Sequence, residues 1–167
     1  MDSKSINNWF SQINRDTYFN CTQLSNNPIS FAADRNINIL NEPHQISITV
    51  TWDPIQRSTI FLMFMADGYS RESGVHINDL LLRLNASIAA GSFALWPENG
   101  DIVFMHSLPI DYLTYEKLKE TLEYLTRVYI SVVPLLNQII GRSHKQLPNA
   151  NMTKQLSDKI INALRRR

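Results

Sequence analysis

The chain has 167 residues, of which 44% are hydrophobic and 19% charged, and its formal net charge is +1. This length and balance predict one folded domain, and they exclude an intrinsically disordered chain. The near-neutral charge gives no reason to expect a nucleic acid or an acidic membrane surface as a partner.

The number of cysteines and the length of the apolar stretches indicate which cellular compartment to expect. A single cysteine, Cys21, excludes an internal disulfide and fits a reducing environment. The first residues, MDSKSINNWF, lack the apolar core of a signal peptide. The longest apolar stretch, at 60–66, is far too short to cross a bilayer. We therefore expect a soluble, cytoplasmic protein that does not bind membranes.

The first half of the chain predicts one helix and then three strands. Residues 3–24 carry apolar side chains at loosely helical spacing, and SNNP at 25–28 ends that helix. One strand is expected around Ile37 and Ile39, with a bend at DRN before it. A second strand covers 45–52, QISITVTW, and a third covers 58–66, STIFLMFMA, after a DPIQR turn.

The second half predicts a helix, a hairpin and a long helix. Residues 76–90 carry an apolar stripe, and Leu82 adds a second apolar face. The stretch at 92–105 predicts two strands joined by the turn PENG. LP at 108–109 is expected to leave the sheet, and Thr114 to cap a helix over 115–140 that Pro134 kinks. A last amphipathic helix is predicted over 151–165.

This order of elements predicts an α+β fold, with helices packed on an antiparallel sheet. We expect residues 1–143 to form a single domain. Residues 144–167 would add a C-terminal amphipathic helix that ends in three arginines.

Residues 76–140 resemble the YbjN family, which has the type III secretion chaperone-like fold. The resemblance begins with an N-xx-L helix start at Asn78 to Leu81 and continues with a G-x-F-x-L strand. After a turn and a return strand comes an LP…LT-x-E-x-L entry to the long helix. The strand and helix-entry positions are Gly91, Phe93, Leu95, Leu108, Pro109, Leu113, Thr114, Glu116 and Leu118. These are packing and turn residues rather than catalytic ones.

The resemblance implies an α-β-β-β-α-β-β-α sandwich, often a homodimer, that has no known catalytic centre. Chaperones of this fold hold an extended client segment against hydrophobic patches, and YbjN-like proteins are implied to have regulatory or stress-related roles. The chain departs from the secretion chaperones because it is near neutral, whereas they are typically acidic, and because it has the extra C-terminal helix.

No pattern in the sequence predicts catalysis, a metal or a cofactor. The four histidines, His44, His76, His106 and His144, are far apart, and no HExxH, CxxC or HxH spacing is present. The glycine turns lack the spacing and the Lys-Ser/Thr of a phosphate loop. We therefore expect a protein that is not an enzyme.

The strand at 58–66 is apolar on both faces, which leaves two interpretations open. Either elements of the same chain cover both faces, or one face binds another protein. The second interpretation is our leading hypothesis: a homodimer that also binds an unidentified client. The short helix and the hairpin would form the dimer contact, and Phe61, Met63 and Met65 would help line the client surface. The predicted protein-binding residues are Phe61, Met63, Met65, Leu82, Phe93, Trp96 and Met105.

A second hypothesis places a small-ligand or catalytic pocket between the sheet and the long helix. Tyr129, Trp96, His106 and Arg127 would meet in that pocket.

Overall fold

The computed structural model describes residues 3–66, 74–88, 90–98 and 100–143. Helix α1 is Ser3–Asp16, and strands β1 to β4 are Asn20–Asn26, Ile29–Ile39, Glu42–Asp53 and Ser58–Ala66. Helix α2 is Gly74–Asn85, β5 is Ser92–Leu95 and β6 is Ile102–Pro109. A 3₁₀ turn, Ile110–Tyr112, leads into α3, Tyr115–Ser143. The predicted helix over 151–165 lies outside the described residues.

The strands form one six-stranded sheet in the order β1-β2-β3-β4-β6-β5. The pairs β1–β2, β2–β3, β3–β4 and β5–β6 are antiparallel. The predicted α+β class, with three helices and an antiparallel sheet, is therefore confirmed. The described residues fall into two compact units, residues 3–63 with 106–126, and those of 64–105 with those of 127–143.

In the first unit, helices α1 and α3 cover one face of the sheet. Ile6, Phe10 and Ile13 recur once per helical turn and are buried. The ring of Phe10 stacks on that of Phe31 in β2, with the ring centroids 3.9 Å apart. From α3, Glu123 accepts two hydrogen bonds from Arg35 of β2, at 3.0 and 2.9 Å. This ion pair ties the long helix to the second strand.

The second unit has its own buried apolar residues. They come from α2, from the β5–β6 hairpin and from the later turns of α3. The buried residues of α3 in this unit are Val128, Tyr129, Val132, Val133 and Leu136.

The first predicted helix is too long by eight residues, because helix α1 stops at Asp16. The Thr17 hydroxyl donates to the Ile13 carbonyl and accepts from the Phe19 amide, which turns the chain out of the helix. Residues 20–26 then pair with β2 as an additional strand. Four strands therefore precede α2, where the sequence predicted three.

Strand β2 also differs from the prediction, because it runs straight through Asp34, Arg35 and Asn36 where a bend was expected. Its hairpin turn comes later, at Leu40 and Asn41, which both have positive φ, 52° and 69°. Two consecutive residues with positive φ are typical of a type I′ turn, which matches the twist of the flanking strands. Leucine is uncommon there, so the turn carried no strong sequence signal.

The later boundaries are partly as predicted. Thr114 caps α3, because its hydroxyl accepts from the Lys117 amide at 3.1 Å. Helix α2 ends at Asn85 rather than at residue 90. Strand β6 continues through Leu108 and Pro109, where the sequence predicted an exit from the sheet. Proline is tolerated at the end of a strand, where a missing amide donor removes no ladder bond.

Candidate protein-binding surface

Strand β4 has one face in the protein interior and one that is partly open. Phe61, Met63 and Met65 are at most 2% exposed, whereas Phe64 is 43% exposed. The strand pairing determines which face of β4 is buried, because β3 alternates between buried Ile48 and Val50 and half-buried Thr49 and Thr51. Residues directly opposite each other share a face, so Thr49 places Leu62 on the open side of the sheet.

The β5–β6 hairpin places two large apolar side chains on the open face. Phe93 lies opposite Phe104, and both are buried, with their ring centroids 4.7 Å apart. Met105 lies opposite Ser92 on the other face and is 37% exposed. The Trp96 amide donates to the Asp101 carbonyl at 2.7 Å, which extends the ladder by one pair. The alternation then puts Trp96, also 37% exposed, on the same face as Met105.

The open faces of β4 and β6 are on the same side of the sheet. These strands are neighbours in the strand order. The rings of Phe61 and His106 are 5.9 Å apart, so the two strands share the face that those side chains occupy. Phe64 and Met105 therefore both lie on the opposite face. We call Phe64, Trp96 and Met105 the open-face group.

Helix α2 carries one exposed leucine. Ile77, Leu80, Leu81 and Leu84 are buried, but Leu82 is 69% exposed. On the exposed side of the helix, Arg83 donates to the Asp79 carboxylate at 2.8 Å. Leu82 is thus a large apolar side chain directly beside a pair of opposite charges.

The structure separates the predicted binding residues into two sets. Leu82, Trp96 and Met105 are exposed. Phe61, Met63 and Met65, which were predicted to line the client surface, are buried, and so is Phe93, which was predicted as a binding residue of the hairpin, so the structure does not expose these four side chains for binding. Both faces of β4 are apolar, so periodicity did not indicate which face is exposed. The methionines led to the prediction that their face is exposed, and that face is the buried one. Phe64 was missed, although the polar face of β3 and the length of the 54–57 turn identify its side of the sheet.

Cys21 and His106 in the first unit are partly buried, and their pKa values are shifted. Burial, and then the nearby carboxylate of Asp34, raise the pKa of Cys21 to about 12, so the thiol stays protonated near neutral pH and is a weak nucleophile. Burial, and then the positive charge of Lys117, lower the pKa of His106 below its usual 6.5. His106 packs against Phe61 and Tyr124, with a ring separation of 6.1 Å to the tyrosine.

The pocket hypothesis gains no support from the described residues. His106 is packed between two aromatic rings, Arg127 is exposed and Tyr129 is buried, and burial raises the pKa of Tyr129. Within the described ranges, no group of three or more His, Cys, Asp or Glu side chains is placed to hold a metal ion. No helix in the described part of the chain combines the length and apolar character needed to cross a membrane.

Comparison with known protein families finds no family that matches the chain, and comparison with curated proteins finds no match. Among solved structures, the chain is similar to one in the structure of the HopA1–SchA chaperone–effector complex. The TM-score is 0.46 and the identity 14%, over 74% of this chain and 90% of the other. At this level the likeness carries no argument about function. Membership of the YbjN family stays a prediction.

Proposed function

We propose that this chain is a non-enzymatic protein-binding module, of the chaperone or adaptor kind, that acts as a homodimer. The observation that carries the proposal is the exposure of the open-face group on neighbouring strands of one sheet. Large apolar side chains that are exposed together are typical of a protein-binding surface, because water disfavours them on a free protein. The open face would bind an apolar segment of a client protein.

The exposed side of α2 is the proposed contact between the two copies. A two-fold interface brings the same surface together from both subunits, so the surface must be complementary to itself. Leu82 beside Asp79 and Arg83 meets that condition. Two leucines would pack at the axis, and each charge would meet the opposite charge of the second copy.

One experiment addresses both contacts. Leu82→Glu places like charges at the proposed axis and should halve the mass of the wild-type species, measured by light scattering after size exclusion. Met105→Glu should leave the mass unchanged. It should weaken binding of extended apolar peptides from a synthetic array by about tenfold or more, because a buried charge replaces an apolar contact.

The controls use exposed positions of similar setting. Asn78→Glu adds the same charge to the exposed part of α2, and Glu98→Lys changes a charge in the hairpin turn. Neither should alter mass or peptide binding. A monomeric wild-type protein at all concentrations would refute the homodimer, and equal peptide binding by wild type and Met105→Glu would refute the client surface.

A further inference from the structure

The two outermost strands of the sheet are each bonded by an asparagine side chain from the preceding helix. At one edge, Asn14 of α1 donates from Nδ2 to the Cys21 carbonyl of β1 at 3.1 Å, and its Oδ1 accepts from the Cys21 amide. At the other edge, Asn85 is the last residue of α2. Its Nδ2 donates to the Phe93 carbonyl of β5 at 2.9 Å, and its Oδ1 accepts from the Phe93 amide at 2.7 Å. Strands β1 and β5 are the two ends of the strand order.

The bonded groups are those that a further strand would use. In an antiparallel pair, alternate residues direct their N–H and C=O groups towards the neighbour, and the residues between them direct these groups away. The bond from the Trp96 amide to Asp101 shows that Trp96 faces β6. By alternation Ala94 also faces β6, so Phe93 directs its backbone groups to the open edge. Asn85 therefore stands where the backbone of a seventh strand would stand.

The residue type at both positions fits this role. A carboxamide donates and accepts in one plane, as a peptide group does. Aspartate can only accept, and leucine, which has a similar size, can do neither. Asn14 and Asn85 come from different helices and different units, yet each makes the same two bonds with one edge residue.

The sequences of the two edge strands contain little else that would oppose pairing with a further strand. Natural sheets protect their edges with charged side chains, proline or bulges. Strand β1, NCTQLSN, and strand β5, SFAL, contain neither charge nor proline. A register shift between Gln23 and Ser25 disturbs the far part of β1 but not Cys21. Within the described residues, it is these asparagines that bond the backbone groups of Cys21 and Phe93 at the open edges.

We propose that Asn14 and Asn85 are edge guards, which keep the sheet from pairing strand against strand with a second copy of this chain. A second copy is the relevant partner because it presents the same uncharged edge strands. The inference does not depend on the proposed function, in which side chains of α2, and not strand backbones, form the contact between copies.

The number of guards removed should decide the size of the assembly. In the Leu82→Glu background, where the proposed α2 contact is removed, Asn14→Leu or Asn85→Leu alone frees one edge of each copy, so two copies can pair and the mass should become twice that of Leu82→Glu itself. The double variant frees both edges and should form open-ended assemblies that grow with concentration. Sedimentation velocity measures both outcomes. Amide exchange at Cys21 and Phe93 in the dilute variants should become at least about fivefold faster.

Matched variants separate guarding from added apolar surface. Asn8→Leu and Asn78→Leu make the same change at exposed positions of the same two helices, and they should keep the wild-type mass. Thr22→Lys and Ser92→Lys, at exposed positions of the two edge strands, should restore the wild-type mass when added to the double variant, because an edge lysine opposes strand pairing.

Several outcomes would overturn the inference. One is a double variant that keeps native circular dichroism and the wild-type mass at every concentration. Another is assembly of Asn8→Leu or Asn78→Leu to the same extent as the guard variants. A third is failure of Thr22→Lys and Ser92→Lys to restore the wild-type mass of the double variant. If the double variant does not fold, the two single variants decide, since each predicts a doubled mass in the Leu82→Glu background and an unchanged mass there refutes the inference.

Discussion

Two buried polar atoms in the first unit have no hydrogen-bond partner. They are Trp52 Nε1 and Thr59 Oγ1, on side chains that lie directly opposite each other in β3 and β4. Both side chains line a small apolar cavity of about 10 Å³ beneath α1, together with Trp9 and Phe10. An unpaired buried hydroxyl loses its hydration and gains nothing in return, so Thr59 lowers stability where it stands.

Replacing that hydroxyl by a methyl group should therefore not destabilise the fold. We expect Thr59→Val to raise the free energy of unfolding by about 1 kcal/mol, because valine has the same shape and removes the unpaired group. Urea unfolding followed by circular dichroism measures the change. Thr126→Val is the matched control, since the buried Thr126 hydroxyl donates to the Leu122 carbonyl at 3.0 Å and its loss should not stabilise. A loss of stability in Thr59→Val greater than that in the control would contradict this account.

At the scale of elements, strand β4 shows how a neighbour chooses between two apolar faces. Its odd-numbered residues from Phe61 to Met65 are buried, and Phe64 between them is open. Strand β3 has one apolar and one hydroxyl-bearing face. In the antiparallel register, the residues of β4 opposite the apolar positions of β3 lie on the buried face, and those opposite the threonines lie on the open face. The two methionines of β4 therefore serve the core, and the open side belongs to Ile60, Leu62 and Phe64.

Adjacent positions in β4 should respond in opposite ways to the same charge. Met63→Glu buries a carboxylate in an apolar core and should abolish cooperative folding or lower stability by about 4 kcal/mol or more. Phe64→Glu changes an open position, so the chain should keep its native fold and lose only apolar peptide binding. Thermal unfolding and near-ultraviolet circular dichroism separate the cases. Equal destabilisation by the two variants would show that the assigned face is wrong.

At the scale of the whole molecule, the shifted pKa values predict two separate steps of acid destabilisation. The folded state depresses the pKa of His106 below 6.5, so its contribution is complete above that pH and is lost as the pH falls through the lowered value. The Asp16 carboxylate becomes protonated at a lower pH than the His106 ring, because hydrogen bonds from Tyr115 and Gln12 hold the pKa of Asp16 below 3.8. As the pH falls, stability is therefore lost first through protonation of His106 and then through protonation of Asp16.

The histidine step can be removed by substitution. His106→Phe keeps a ring between Phe61 and Tyr124 and removes the titration, so the fall in melting temperature between about pH 7 and pH 5 should become smaller. The assignment fails if His106→Phe and the wild type lose stability in parallel over this range.

The fold class was predictable because periodicity and turn chemistry are local. The bounds of β4, the β5–β6 hairpin and the Thr114 cap of α3 were all visible in short stretches. Strand β1 was not, because NCTQLSN has no apolar alternation. It is a strand because β2 pairs with it and Asn14 bonds to Cys21, and both contacts depend on the folded chain.

The candidate surface was predictable only in part, for the same reason. The sequence by itself determined that β4, the hairpin and α2 carry more apolar side chains than one covered face requires. The tertiary structure decided which of them are exposed, since burial depends on strand register and on where the helices pack. It also decided that two asparagines, indistinguishable in the sequence from the many others, stand at the two edges of the sheet.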